Sequence, residues 1–375
     1  MKLVLATPLY PPEIGGPATY AKVLEEGLPK RGIEVELVKF SDVRHLSKFF
    51  RHLVYTYRVW SKARHADMVF VQDTVSCGLP ALIAARLARV PLVVRVPGDY
   101  AWEQGRQRFG VTDTIDLFQE QRYGVRVSLL RLVQRTVVRH ADRVVVPSRY
   151  FAYLVSGWGV APTKLHVIYN GIKLPLPNPQ VPQHAPVPSI VSAGRLVEWK
   201  GIQGLIGLLK LLPEWHLIVV GEGPMRSSLQ KQAQETGVAD RVRFTGSLAP
   251  ELLIGWYQAA TAFVLNTSFE SFSFQIAEAM AAGIPIIATE IGSIPELIED
   301  RKEGVLVRPN DLKALKEAVE SVRAQPELWQ RRVLAAKEKA EMFSIDRTLD
   351  TLVPVLQELI SPMPKKVTVA ARPLP

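Results

Sequence analysis

What most constrains this chain is an alternation that runs through twice. Short apolar runs rich in β-branched residues take turns with segments of helical periodicity, a proline-rich break intervenes, and the pattern restarts. Runs this short read as strands of a parallel sheet, buried on both faces, with crossover helices between them. Before the break the expected strands are 2–7, 33–40, 68–72, 92–96, 143–147 and 166–170, with a helix over 17–31. After it they are 190–193, 217–221, 242–246, 261–266, 284–289 and 305–307, with helices over 201–212 and 224–236. Three more helical patterns follow, over 311–324, 327–342 and 346–360. The expected class is α/β, with two Rossmann-like doubly wound domains facing a central cleft. At 375 residues each domain can bury a full core. The boundaries read as 1–174 for the first domain, 175–188 for a Pro-rich linker and 189–342 for the second. Residues 343–360 form a helix packing back toward the first domain, and 361–375 a disordered tail.

No apolar stretch reaches the length that crosses a bilayer, and the apolar start of the chain breaks at Pro8. It reads as a first strand, not a signal peptide. Cys77 is the single cysteine, which leaves no disulfide framework and fits a reducing cytoplasm. Its setting, at a helix start among small and apolar residues, is that of a packing residue. The net charge of +10 is lopsided: residues 1–175 hold 25 basic and 14 acidic side chains, residues 176–375 hold 21 and 22. An excess confined to the first half points to an anionic partner there.

The segment Glu270-Ser-Phe-Ser-Phe-Gln-Ile-Ala-Glu278 lies between two expected strands. In an open parallel sheet, ligands bind outside the carboxyl ends of the strands, where such a segment must lie. Ser271 and Ser273 are small and suit a helix start whose first amides stay open to an anion. One glutamate before that helix and another inside it suit a ligand with hydroxyls at both ends and negative charge between. A nucleotide sugar has this form. Upstream, Arg195 and Lys200 follow a strand and open a helix, where they read either as a solvated helix start or as a grip on phosphate oxygens. Gly15-Gly16 follows the first strand, as a tight turn or as backbone that approaches a ligand. Gly221-Glu222-Gly223-Pro224 lacks the third glycine of a dinucleotide fingerprint, Arg226 standing in its place, so a redox cofactor is disfavoured.

Taken in order, Gly15-Gly16, Asn170-Gly171, Gly194-Arg195 through Lys200-Gly201, Gly221-Glu222-Gly223-Pro224 and Glu270…Glu278 resemble the retaining glycosyltransferases of family 4, with the GT-B fold. The resemblance covers nearly the whole chain and implies a hexosyltransferase (EC 2.4) of polysaccharide or glycolipid biosynthesis. The first domain would bind the acceptor and the second the nucleotide sugar. It implies that Arg195 and Lys200 hold the diphosphate, that Glu270 contacts donor-sugar hydroxyls, and that Glu278 bonds the ribose. The amides near Ser273 and Phe274 would meet the diphosphate, Gly15 and Gly16 would face it from the opposite wall, and Glu222 and Gly246 would lie beside the nucleotide. Relatives carry glycines at Ser271 and Ser273, and a small or aliphatic residue with proline at Phe274-Gln275. They also carry a histidine-aspartate pair where this chain has Gly98-Asp99. Asp99 is thus a catalytic candidate, and acceptor recognition or proton handling is expected to differ. Glu296 reads as a supporting residue.

No metal-ligand cluster and no nucleophile–histidine pair stands out, which fits retention without an essential metal or cofactor beyond a UDP- or GDP-sugar. His140, His166 and His216 read as packing or helix-end residues. Residues 44–65 interleave Arg44, Lys48, Arg51, Arg58 and Lys62 with Phe49, Phe50, Tyr55, Tyr57 and Trp60; Arg131, Arg135 and Arg139 form a second basic stripe, opposite Leu129, Leu132 and Val133. Each reads as a packed helix with a solvated face or as a patch for an anionic membrane. The expected partners are a nucleotide-sugar donor, a lipid-linked or glycan acceptor and a membrane surface, with no nucleic acid. The expected place is the cytoplasm, at the inner face of the membrane. A nucleotide-sugar epimerase and a non-catalytic nucleotide-sugar-binding protein are the rival readings.

Overall fold

A computed structural model describes residues 1–13 and 15–360. The tail from residue 361 lies outside the described residues. The first half runs β1 (Lys2–Thr7), α1 (Gly16–Gly27), β2 (Glu34–Lys39), α2 (Lys48–Ala63), β3 (Met68–Val71), α3 (Gly78–Ala88) and β4 (Leu92–Arg95). It continues with α4 (Tyr100–Arg108), α5 (Ile115–Glu120), α6 (Val125–His140), β5 (Arg143–Val146), α7 (Arg149–Ser156) and β6 (Leu165–Val167). The second half runs β7 (Ser189–Ala193), α8 (Ile202–Leu208), β8 (His216–Val220), α9 (Arg226–Glu235), β9 (Val242–Gly246), α10 (Pro250–Ala259) and β10 (Ala262–Leu265). Then come α11 (Phe274–Ala282), β11 (Ile286–Thr289), α12 (Ile294–Leu297), β12 (Val305–Val307), α13 (Leu312–Ala324), α14 (Pro326–Ala340) and α15 (Ile345–Gln357).

The strands form two six-stranded sheets, ordered β2-β1-β3-β4-β5-β6 and β12-β11-β10-β7-β8-β9, and every pairing is parallel. Leu3 and Leu5 point to one face of the first sheet, where Tyr20 and Leu24 of α1 cover them. Val4 and Ala6 point to the other, under α2, α3 and α6. The second sheet has α8, α9 and α13 on one face and α10, α11 and α14 on the other. In each sheet the strand order reverses once, between β1 and β3 and between β7 and β10, which opens a crevice at the carboxyl ends of those strands.

The chain passes between the halves twice. Ile172 makes a parallel bridge with Ser344, so the outgoing and returning strands of chain run side by side. Beyond that bridge α15 lies against α1, with Leu349, Leu352 and Leu356 buried beside Leu24. The Pro-rich segment 175–188 holds no strand or helix and is pinned to α10: the Gln180 N–H donates to the Glu251 carbonyl at 2.9 Å.

Several elements depart from the sequence pattern for visible reasons. The last strand of the first sheet ends at Val167 because Asn170 leaves to accept a bond from Arg95 Nη2 at 2.8 Å. Helix α8 stops at Leu208, and the Arg241 guanidinium takes the carbonyls of Leu209, Leu212 and Trp215 beyond it. Helix α10, with proline in its first turn, has an apolar composition that hides its helical period.

Candidate active site

Two loops leave the strands that flank the second switch point, 194–201 after β7 and 266–273 after β10. They are fastened to each other through backbone carbonyls of the first loop. Ser268 N–H donates to the Trp199 carbonyl at 2.7 Å, and Asn266 Nδ2 to the Gly201 carbonyl at 3.0 Å. Gly201 is at φ 65, and a Cβ there would sit 1.7 Å from the Asn266 carbonyl oxygen, so only glycine lets the loops close. This closure brings Lys200 and Glu270 into a direct ion pair. Their side chains are 14% and 8% exposed. Burial pushes the Glu270 carboxyl above its usual range, and Lys200 pulls it back only in part. Arg195, from the first of the two loops, is exposed, and its guanidinium has no hydrogen-bond or ion-pair partner among the described residues.

Helix α11 opens directly beyond Glu270. Ser273 is its N-cap, fully buried, and its Oγ accepts the Ile276 N–H at 3.3 Å. The amides of Phe274 and Gln275 precede the first intrahelical bond and carry the positive end of the helix. Further along, the Glu278 carboxylate has no hydrogen-bond or ion-pair partner among the described residues, though it acts electrostatically on Tyr257, and burial pushes it up to about 7. At the ends of β8 and β9, Glu222 pairs with Arg226, and a Cβ on Gly246 would lie 2.9 Å from the Glu222 carboxylate. The expected donor residues of the second half therefore stand at the carboxyl ends of four neighbouring strands.

The first half supplies the opposite wall. A Cβ on Gly16 would lie 3.6 Å from the Phe274 ring, so the loop after β1 faces the start of α11. Ser271 Oγ donates to the Pro97 carbonyl at 2.6 Å. Trp102 packs on Phe269 and Trp199 with centroids 4.8 and 5.4 Å apart, and Arg106 pairs with Glu198 at 2.6 Å. On the other flank Glu296 accepts the backbone N–H groups of Arg149 and Tyr150, at 2.9 and 2.8 Å, and the Tyr169 hydroxyl at 2.9 Å. It caps α7 across the junction of the two halves, a supporting position.

Asp99 requires a correction. Its carboxylate is fully buried and committed: Oδ1 accepts the Trp102 N–H that opens α4 and the Gln134 amide, both at 3.0 Å, and Oδ2 accepts the Gln119 amide at 2.9 Å. It is a helix cap held between two glutamines. The carboxyl that does reach toward the crevice is Glu103, one turn into α4. It is half-buried, its carboxylate has no hydrogen-bond or ion-pair partner among the described residues, and it acts electrostatically on Arg195. Its place in the first turn of α4 was readable in sequence; the room left for it by Gly98 was not. The stripe of Arg131, Arg135 and Arg139 also differs from expectation. Arg131 donates to the carbonyls of Gln119 and Gln121 and stacks 4.8 Å from the Phe118 ring, and Arg139 donates to the Trp158 carbonyl. Arg131 and Arg135 are half-buried, and the exposed face of α6 mixes the apolar Val125, Leu129 and Leu132 with Arg126, Ser128, Arg139 and His140. Cys77 is fully buried. Among the described residues no group of three His, Cys, Asp or Glu is placed to hold a metal ion, and no helix is long and apolar enough to cross a membrane.

The model of Glycosyltransferase Family 4 matches residues 14–175, and that of Glycosyl transferases group 1 matches residues 180–339. The alpha-monoglucosyldiacylglycerol synthase of Streptococcus pneumoniae is 25% identical over 344 residues, covering 82% of this chain and 75% of that protein. The D-inositol 3-phosphate glycosyltransferase of Streptomyces scabiei is 31% identical over 235 residues, 56% of this chain and about half (52%) of that protein. Among solved structures, Anabaena HepE in complex with UDP and glucose superposes with a TM-score of 0.78 at 19% identity, covering 96% of this chain and 100% of HepE. Sucrose-phosphate synthase from Thermosynechococcus elongatus gives 0.78 at 20%, covering 96% and 98%. The shared architecture is the GT-B fold.

Proposed function

This chain belongs to glycosyltransferase family 4, and on that footing we propose that it moves a hexose from a nucleotide-sugar donor to a hydroxyl of a lipid-linked or glycan acceptor, with retained configuration. The observation that carries the reading is the buried Lys200–Glu270 pair placed before the open amides of α11. A leaving diphosphate gains negative charge as the glycosidic bond breaks, and fixed cations and amides at that point lower the barrier. Lys200, Arg195 and the first amides of α11 supply them. Glu270 takes hydroxyls of the sugar while holding Lys200 in place, and Glu278 takes ribose hydroxyls. The acceptor hydroxyl attacks from the face the diphosphate leaves, and a diphosphate oxygen takes its proton. No step in this scheme calls on a metal. UDP is the first nucleoside diphosphate to test, because the HepE complex holds UDP and glucose.

A lipid-linked acceptor fits the outer surface of the first half. Helices α2, α3 and α6 lie side by side over one face of its sheet, and each turns apolar residues outward. Phe49, Phe50 and Tyr57 of α2, Ile83 and Leu87 of α3, and Val125, Leu129 and Leu132 of α6 are all exposed. Exposed arginines border them, among them Arg58, Arg86, Arg122 and Arg126. An apolar patch rimmed by cations suits the interface of an anionic membrane. The relative in S. pneumoniae is named for a diacylglycerol product, which supports the same choice. Turnover of a panel of UDP-, GDP- and ADP-hexoses, with and without lipid acceptors, tests the reading; a chain that binds nucleoside diphosphate yet turns over no donor would be a binding protein only.

A further inference from the structure

The charged groups around the crevice are nearly all accounted for. Lys200 and Glu270 neutralise each other, and Asp99 is spent as a cap. Glu103 is left. A Cβ on Gly98 would lie 2.5 Å from Glu103 Oε1, so the carboxyl occupies the volume that a side chain at position 98 would fill. That places it in the loop between β4 and α4, which is held against the second half on both sides. Pro97 accepts the Ser271 hydroxyl, and Trp102 packs on Trp199 and Phe269.

The geometry points to Glu103 as a specificity-determining residue that accepts a hydrogen bond from one hydroxyl of the transferred hexose, so that the site takes a neutral hexose in preference to the matching deoxy sugar or hexuronic acid. This rests on the sugar-transfer reading. A half-buried carboxylate without a protein hydrogen-bond donor gains most from a substrate hydroxyl and loses most when the substrate lacks it. A uronate would set a like charge against Glu103, with Glu270 adding to the repulsion. Burial pushes the Glu103 carboxyl up to about 7; the charge of Asp99 adds to the shift and Arg195 opposes it. Tyr100, on the same helix, lies within its field. Exclusion of a uronate donor therefore strengthens as pH rises through about 7.

The test takes the hexose donor turned over in the panel, its 2-, 3-, 4- and 6-deoxy analogues and its uronic acid counterpart. It measures kcat/KM for each in the wild type, Glu103→Gln, Glu103→Ala and Gly98→Ala, from about pH 6 to 8.5. Wild type should reject one deoxy donor by roughly 10–100-fold, the scale of a hydrogen bond to a charged group. Glu103→Ala should erase most of that ratio. Glu103→Gln should relax the exclusion of the uronate and flatten its pH dependence. Gly98→Ala, which displaces the carboxyl without removing it, should give an intermediate ratio. Glu103→Ala or Glu103→Gln enzyme that is slower yet discriminates among donors as wild type does would overturn the assignment. If no donor is turned over and no nucleoside diphosphate raises Tm, the transfer reading has failed and this inference with it.

Discussion

Lys200 and Glu270 meet across the switch point of the second sheet, and neither has another side-chain partner among the described residues. Breaking a buried pair from one side leaves an uncompensated charge. Lys200→Ala is therefore expected to cost about 3–5 kcal/mol of stability and to lower the transfer rate by roughly 10²–10³. Adding Glu270→Gln in the same chain should restore part of the stability and none of the activity. Urea unfolding and steady-state transfer on both variants check this, and near-wild-type transfer by Lys200→Ala would remove Lys200 from the donor site.

Stability should depend on pH in a defined direction. Glu278 and Glu103 both titrate near 7 in the folded chain, against 4.5 as the ordinary value. Between those values the folded chain holds more protons than the unfolded one, so stability is greatest at the acid end and falls as pH rises through the window. The loss is at most on the order of 3 kcal/mol per group, at 1.36 kcal/mol per unit. Glu270 and Asp73 are shifted the same way. Replacing Glu278 by Gln should remove its share of the slope in urea melts taken from about pH 5 to 8. Saturating nucleoside diphosphate should do the same in the wild type.

Glu296 caps α7 from the other half of the molecule. Glu296→Ala frees two amides and should cost about 1–2 kcal/mol, the scale of a lost cap. Because the contact joins the two halves, the variant should also show a larger radius of gyration by small-angle scattering and a higher donor KM. An unchanged radius with the same loss of stability would make the contact a local cap only.

Ile83→Glu together with Leu129→Glu places two charges on the outer face of α3 and α6, where both side chains are already solvent-exposed. The fold should tolerate them, since surface changes fall within about 0.5 kcal/mol. Co-sedimentation with anionic vesicles should be lost, while transfer to a soluble acceptor continues. Binding of wild type that is indifferent to anionic lipid and to salt would eliminate the membrane contact.

Strand identity was legible because parallel strands buried on both faces leave uninterrupted apolar runs such as Val69-Phe70-Val71 and Ile286-Ile287-Ala288. The carboxyl ends of those runs also marked where a site must lie. Side-chain direction was not legible. Asp99 and Glu103 stand four residues apart on one loop and helix, yet one is consumed as a cap and the other left free, and only the positions of Gln119, Gln134 and Gly98 decide which. For the same reason the arginines of α6 resembled a solvated stripe: nothing in their spacing shows that Phe118 and the carbonyls of Gln119 and Gln121 await Arg131.

The return of α15 to α1 bears on how the polypeptide matures. A ribosome delivers Tyr20 and Leu24 more than three hundred residues before Leu349, Leu352 and Leu356, which cover the same face. Throughout that interval the nascent first half presents a bare greasy seam, and its closure must wait until α15 itself has been made. Expressed alone, residues 1–174 would keep that seam open and aggregate through it unless α15 were supplied in trans.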